Sequence, residues 1–198
     1  MQVSGYEIWA LASIILKIVA YVPYFKHIIR GKCHPHAFSW FIWFVIIFIA
    51  FLIQLFGDAG AGAYTTLFSS LICLAVALLG FFVGRRDIVF IDHVVLVIAM
   101  AILPFWYFVQ SPLLVILIVI SIDMIGFIPT WRKAFLKPFE ERGKTFFILS
   151  FASVFGILAV EEVNFVNLAY PVYLASSHLA TALYVAWRNK VVIGRWKF

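Results

Sequence analysis

Seven stretches of 16 to 23 residues, each nearly free of charge, follow one another along a chain of 198 residues. A helix needs about 20 apolar residues to cross the hydrocarbon core of a bilayer. The stretches predict membrane spans at 8–29, 37–56, 63–83, 88–108, 112–131, 145–160 and 165–187. The sixth is short, at 16 residues, and its flank Glu161-Glu162 is expected at the membrane surface. Only helices and closed barrels satisfy backbone groups in lipid, and runs this continuous lack the alternation of a barrel strand. Composition agrees: 65% of the residues are hydrophobic and 12% charged, against about 45–50% and about 25% in soluble domains. The expected class is an all-α, polytopic integral membrane protein. The residues before Trp9 hold no Lys or Arg, so they are not expected to act as the n-region of a signal peptide.

Charge fixes the expected orientation. Of the 15 basic residues, 14 fall in the last turn of span 1 or after spans 1, 3, 5 and 7, which seven passes put on one side. They are Lys26, Arg30, Lys32, Arg85, Arg86, Arg132, Lys133, Lys137, Arg142, Lys144, Arg188, Lys190, Arg195 and Lys197. The other side carries Glu7, Asp58, Glu161 and Glu162. The positive-inside rule then puts the N-terminus outside and the C-terminus in the cytoplasm. The net charge of +6 follows from this topology and implies no nucleic acid. It predicts attraction of anionic lipids at the cytoplasmic face. Trp9 and Trp106 mark outer ends, and Trp40, Trp131 and Trp187 inner ends, as an aromatic belt would.

The chain also repeats itself. An offset of 106 residues lays Lys17 on Asp123, Pro23 on Pro129, Lys26 on Arg132 and His27 on Lys133. An offset of 107 lays Ser69-Ser70 on Ser176-Ser177. The expected organisation is a first triple-helix repeat over 1–84, a connector helix over 85–111 and a second repeat over 112–198. An odd number of helices separates the copies, so both have the same orientation. Parallel repeats of this kind are one transporter plan, with the site near midplane between the halves.

Three spans, a connector and three spans, with Pro23 and Pro129 near the cytoplasmic ends of spans 1 and 5, resemble the PQ-loop superfamily, whose best-known members are the SWEET sugar transporters. The matching segments are Tyr21 to Lys32 and Asp123 to Lys133; Pro23-Tyr24 and Pro129-Thr130 stand where the family motif has Pro-Gln. Gly31 to Trp40 is similar to a Gly-Lys-x-x-Pro-His-x-x-Ser-Trp segment of a bacterial membrane-protein group. The resemblance implies a bacterial inner-membrane location and two triple-helix bundles that rock about the prolines around a central pathway.

Lys17 and Asp123 are the main candidates for chemistry, because an ionisable residue inside a membrane is costly and tends to be functional. Each lies about 12–16 Å of helix rise below its outer end, near midplane. If spans 1 and 5 face each other, the two form either a static salt bridge or a substrate-binding, gating or proton-coupling pair. Pro23 and Pro129 interrupt helix hydrogen bonding, and with Gly126 they are candidate hinges. Span 3 carries small or polar residues on one face: Thr66, Ser70, Cys73, Ala77, Gly80 and Gly84. The matching face of span 7 reads Tyr173, Ser177, Ala180, Tyr184 and Trp187. Small stripes serve close packing, or these two faces line a path for a polar solute. Ser70, Cys73, Ser177, His178, Trp43 and Tyr173 are the expected pathway residues beside the two charges.

Asp92-His93 reads as a structural dyad near Arg85 and Arg86. His27, Cys33, His34 and His36 lack a zinc spacing, so no metal is expected. No cofactor and no disulfide between Cys33 and Cys73 are expected either. There is no nucleophile-base-acid set, and an enzyme is not expected. Two functions remain. One is a transporter of a small polar, sugar-like or other metabolite by alternating access. The other is a non-transporting receptor or assembly scaffold that uses its basic cytoplasmic loops. Association into an oligomer is left open. A transporter should hold a wet polar centre, and a scaffold should pack that region dry.

Overall fold

A computed structural model describes residues 4–31, 35, 37–83, 97, 100, 101, 108, 111–136 and 143–195. Six helices account for nearly all of them: α1 Gly5–Ile29, α2 Ala37–Phe56, α3 Ala61–Val83, α4 Pro112–Leu136, α5 Gly143–Leu158 and α6 Phe165–Arg195. Among the described residues there is no strand. The predicted fourth span falls outside them except for residues 97, 100, 101 and 108, which are helical. Local chemistry sets the ends. Ser4 and Glu7 form a reciprocal capping box at the start of α1, satisfying two orphan N–H groups. Asp58 and Gly60 adopt positive φ, 57° and 58°, and turn the chain sharply from α2 into α3.

Helix order is mirrored. α3 packs against α1 and, more extensively, α2, while α6 packs against α4 and, more extensively, α5. Each contact across the two groups has its counterpart: α1–α5 matches α4–α2, and α2–α6 matches α5–α3. Serines bridge the most extensive pair on each side. Ser70 Oγ donates to the Phe44 carbonyl at 3.3 Å and Ser150 Oγ to the Ala175 carbonyl at 2.9 Å.

The helices bury small and polar residues and expose aliphatic ones. In α1, Ala10, Ser13, Lys17 and Ala20 are buried, whereas Ile8, Leu11, Ile15, Ile18 and Val22 are exposed. In α5, Ser150, Ala152, Ser153 and Gly156 face inward, and Phe147, Phe151, Val154 and Leu158 outward. This reverses the pattern of a surface helix in water. Small residues at the helix interface are what hydrocarbon surroundings favour. Two of the described helices, Gly5–Ile29 and the Ala61–Phe82 stretch of α3, are long and apolar enough to cross a membrane. Trp40–Phe56, Pro112–Phe127 and Gly143–Leu158 are shorter apolar helices.

Span 2 coincides with α2. Elsewhere the predicted ends shift: α4 runs five residues past 131, and α6 eight past 187. α5 stops at Leu158 because Ala159 and Val160 are drawn into a buried turn beside the α2–α3 loop.

Candidate functional site

Two unlike seams join the two groups of helices. Between α1 and α5, small residues let the backbones approach. Trp9 stacks on Phe155 with centroids 5.5 Å apart, Ser13 Oγ donates to the Ala152 carbonyl at 2.6 Å, and a Cβ on Gly156 would meet Thr65 Oγ1 at 3.0 Å. The counterpart around α2 and α4 is bulky. Val45, Ile46, Ile49, Ile53, Val115, Ile116 and Val119 form the main apolar core with Cys73 of α3 and Tyr170 of α6.

Lys17 lies in the first seam and is 6% exposed. Its ammonium donates to the Thr65 carbonyl of α3, which also accepts from Ser69 Oγ at 3.3 Å. Asp123 lies in the second seam and is 3% exposed. The expected Lys17–Asp123 ion pair is not formed. α1 packs on α3 and α5, and α4 on α2 and α6, so the helices that carry the two charges do not face each other. Cys73 of α3 lies within electrostatic range of both.

Around Asp123 several polar atoms lack partners. Tyr173 approaches its carboxyl, yet Asp123 Oδ2 and the hydroxyls of Tyr170 and Tyr173 are buried without a hydrogen bond of good geometry. Tyr21 of α1 lies within electrostatic range of Asp123 and Cys73. Polar groups buried in this way are normally hydrogen-bonded, so leaving several unmet is energetically costly. Tyr21 and Tyr170 complete this centre and escaped the sequence reading. Nothing distinguished them from interfacial tyrosines, and only the folded chain brings them within electrostatic range of Asp123.

Other expected pathway residues divide. Cys73 and Tyr173 join the centre. Ser70 does not: its hydroxyl is spent on the Phe44 carbonyl inside the first group. Ser177 Oγ donates to the Leu174 carbonyl of its own helix at 3.2 Å. His178 sits between the rings of Phe127 and Phe146, at 5.9 and 6.2 Å, with Nδ1 buried and unpaired. The predicted α6 face fails below Ser177, where Ala180 and Trp187 are exposed. The buried face there is Thr181, Ala182 and Val185, small enough to pack on Gly143 of α5. The α3 stripe serves close packing, since a Cβ on Gly80 would fall 2.9 Å from the Pro35 carbonyl oxygen.

α1 and α4 continue as helix through Pro23 and Pro129. The Pro23 carbonyl accepts from His27 Nδ1 at 2.6 Å. Gly126 makes room for an indole: a Cβ there would lie 2.7 Å from Trp43 Nε1, and Trp40 crowds Trp43 from behind with centroids 5.1 Å apart. Gly126→Ala gains about 1 kcal/mol of helix propensity but overpacks at about 1–3 kcal/mol. Thermal unfolding should therefore show a net loss of about 1 kcal/mol, together with shifted tryptophan emission. A gain in stability with reduced activity would instead mark Gly126 as a hinge.

The ends assigned to the outside are fastened together by polar bonds that sequence reasoning missed. Asn167 Nδ2 donates to the Gly57 carbonyl at 2.6 Å and the Glu162 carbonyl at 2.9 Å. Gln54 Nε2 donates to the Asn167 carbonyl at 2.8 Å. The Glu161 N–H donates to the Ala59 carbonyl at 3.1 Å, and its carboxylate accepts from the Ala61 N–H at 3.0 Å. At the opposite end, the α1–α5 seam opens into a cleft of about 360 Å³ lined by Val19, Ala20, Pro23, Lys144, Thr145 and Ile148.

Asp92, His93, Cys33, His34, His36, Gly84 and the 137–142 loop lie outside the described residues. No protein-family model, curated protein or solved structure matches the chain.

Proposed function

We propose that this chain is a seven-span membrane protein of PQ-loop type that moves a small polar solute by alternating access between two three-helix units. The observation that carries this reading is the unpaired Asp123 Oδ2, buried with the hydroxyls of Tyr170 and Tyr173, which lack a hydrogen bond of good geometry. An isolated polar cluster of this kind is costly in an apolar interior, and in a membrane it is retained for a ligand or an ion. The mirrored helix order supports two like units, and the apolar exterior supports lipid surroundings. Fastened outer ends above an inner cleft are the features expected of a state closed to the outside. Protein reconstituted in liposomes and screened with sugars, nucleosides and amino acids should give saturable uptake of at least one class, lost in Asp123→Asn. The scaffold reading is favoured by the tightly filled apolar core beside Asp123. A complete screen with no uptake by well-folded protein would establish it over transport.

A further inference from the structure

Packing along the α1–α5 seam changes toward its inner end. Ser13 bonds to the Ala152 carbonyl, and about two turns further along each helix lie Ala20 and Thr145. There the helices stand apart around the cleft of about 360 Å³. Ala20 is its buried floor, at 2% exposure, and Val19 and Lys144 are its exposed rim. The cleft therefore opens on the outer surface of the bundle. That surface is apolar nearby, with Ile15, Ile18 and Val22 of α1 and Phe147 and Phe151 of α5 exposed. In a bilayer it meets acyl chains, and a gap left empty there forfeits the van der Waals contacts of its lining. The cleft also grades from apolar to cationic. Val19, Ala20 and Ile148 form its deeper part, and Thr145 and Lys144 its cytoplasmic end. On α1, Val19, Pro23, Lys26 and Arg30 follow at steps of four, three and four, so both cations extend the same helix face. Lys26, Arg30 and Lys144 are all exposed. Of the described carboxylates, Glu7, Asp58, Glu161 and Glu162 belong to the other end of the bundle, and Asp123 is buried in the other seam.

From this polarity we infer a specific site for one anionic phospholipid of the cytoplasmic leaflet. Its phosphate meets Lys144, Lys26 and the Thr145 hydroxyl, and a stretch of one acyl chain lies over Val19, Ala20 and Ile148. Basic pockets between membrane helices on the cytoplasmic side take headgroups of this kind. The volume falls within the about 300–1,000 Å³ of small-molecule sites. Such a site differs from the diffuse attraction exerted by basic loops, because it needs groove and cations together. A soluble anion uses the cations and leaves the apolar groove empty. A zwitterionic lipid fills the groove, but its own cationic headgroup opposes the lysines, which is how like charges discriminate against a wrong partner. α1 and α5 belong to different helix groups, so the bound lipid wedges their inner ends apart. The inference rests on the membrane-spanning part of the proposed reading and is independent of transport.

The test compares phosphatidylglycerol with phosphatidylcholine of the same acyl chains. Membranes are first washed at alkaline pH, and the retained protein is purified in detergent and titrated with each lipid. Native mass spectra and melting temperature are both read. The expected result is one phosphatidylglycerol retained per chain and a saturable rise in melting temperature, with phosphatidylcholine weaker by about 10-fold or more. Lys144→Gln and Lys26→Gln should each weaken phosphatidylglycerol by about 5-fold, and Val19→Trp should block it by filling the groove. Lys190→Gln removes an exposed cation outside the cleft lining and should change nothing. If it weakens the lipid as much as Lys144→Gln does, the attraction is diffuse and the site is overturned. Equal retention of the two lipids overturns it as well. So does an equal thermal shift from glycerol phosphate, which would assign the cations to a free phosphate. Should Val19→Trp fail to fold, the two exposed lysines still decide the matter. Release of the protein by the alkaline wash would overturn the membrane reading together with the site, whereas retention without lipid preference would overturn the site alone.

Discussion

Lys17→Met is expected to raise the melting temperature of the purified protein while abolishing solute uptake. Lys17 is enclosed by α1, α3 and α5, with one backbone carbonyl as its acceptor. Keeping an ammonium there carries a desolvation penalty of several kcal/mol, and isosteric hydrophobic replacement of buried ionic groups is neutral or stabilising by about 1–4 kcal/mol. Methionine nearly matches the lysine stem in volume. The Thr65 carbonyl keeps the Ser69 hydroxyl as a donor, so its loss is limited to a fraction of the usual 1–3 kcal/mol for an orphaned acceptor. Asp123→Asn should behave likewise. Because the two charges are not bonded to each other, the double variant should show stability effects that add to within about 0.5 kcal/mol. A loss of about 3–5 kcal/mol in each single variant, recovered in the double, would mean that they pair after all. Stability that rises while uptake vanishes separates a charge kept for function from one kept for the fold.

The expected duplication rests on residue types at fixed spacing. Lys17 on Asp123 and Pro23 on Pro129 set α1 against α4, which take matching places in the mirrored helix packing. Their facing partners were not legible. Periodicity tells which residues share a face, but the identity of the opposing helix depends on three-dimensional order. The α1–α5 seam is close because Ser13, Ala152 and Gly156 are small, and this closeness turns Lys17 toward α3 instead of α4. Ser70 illustrates the same limit: a polar residue on a small stripe looks like a pathway lining until its carbonyl partner is known. Helix ends were misjudged where hydropathy and helix propensity diverge. Trp131 to Leu136 contains Arg132 and Lys133, which end the apolar run while continuing the helix. Gln54 and Asn167 belong to no motif or spacing in the sequence; their role depends on loops that meet only in the folded chain.

Those amides carry the second large expectation. Asn167→Ala should open the outer side of the protein, seen as faster modification of Cys73 by a small thiol reagent added from outside to a Cys33→Ser background. Cys73 is 4% exposed in the core beside Asp123, so its reaction reports access to the centre. Asn167 is wholly buried and ties the Gly57 and Glu162 carbonyls through one amide. Removing it breaks two hydrogen bonds and orphans two acceptors, at about 1–3 kcal/mol each. If the clasp holds only the closed state, about 2–6 kcal/mol shifts the open population by about 30-fold or more. Gly62→Ala should act in the same direction by a different cause, since its Cβ would lie 2.7 Å from Val160 Cγ2 and 2.9 Å from Val160 Cα. Backbone that close cannot yield by a rotamer change, so the two loops must separate. Ser176→Ala, whose hydroxyl is exposed and bonded within its own helix, should leave the rate unchanged. If both clasp variants lose thermal stability with no faster labelling, the contacts merely hold the fold together, and closure of the outer side must lie elsewhere.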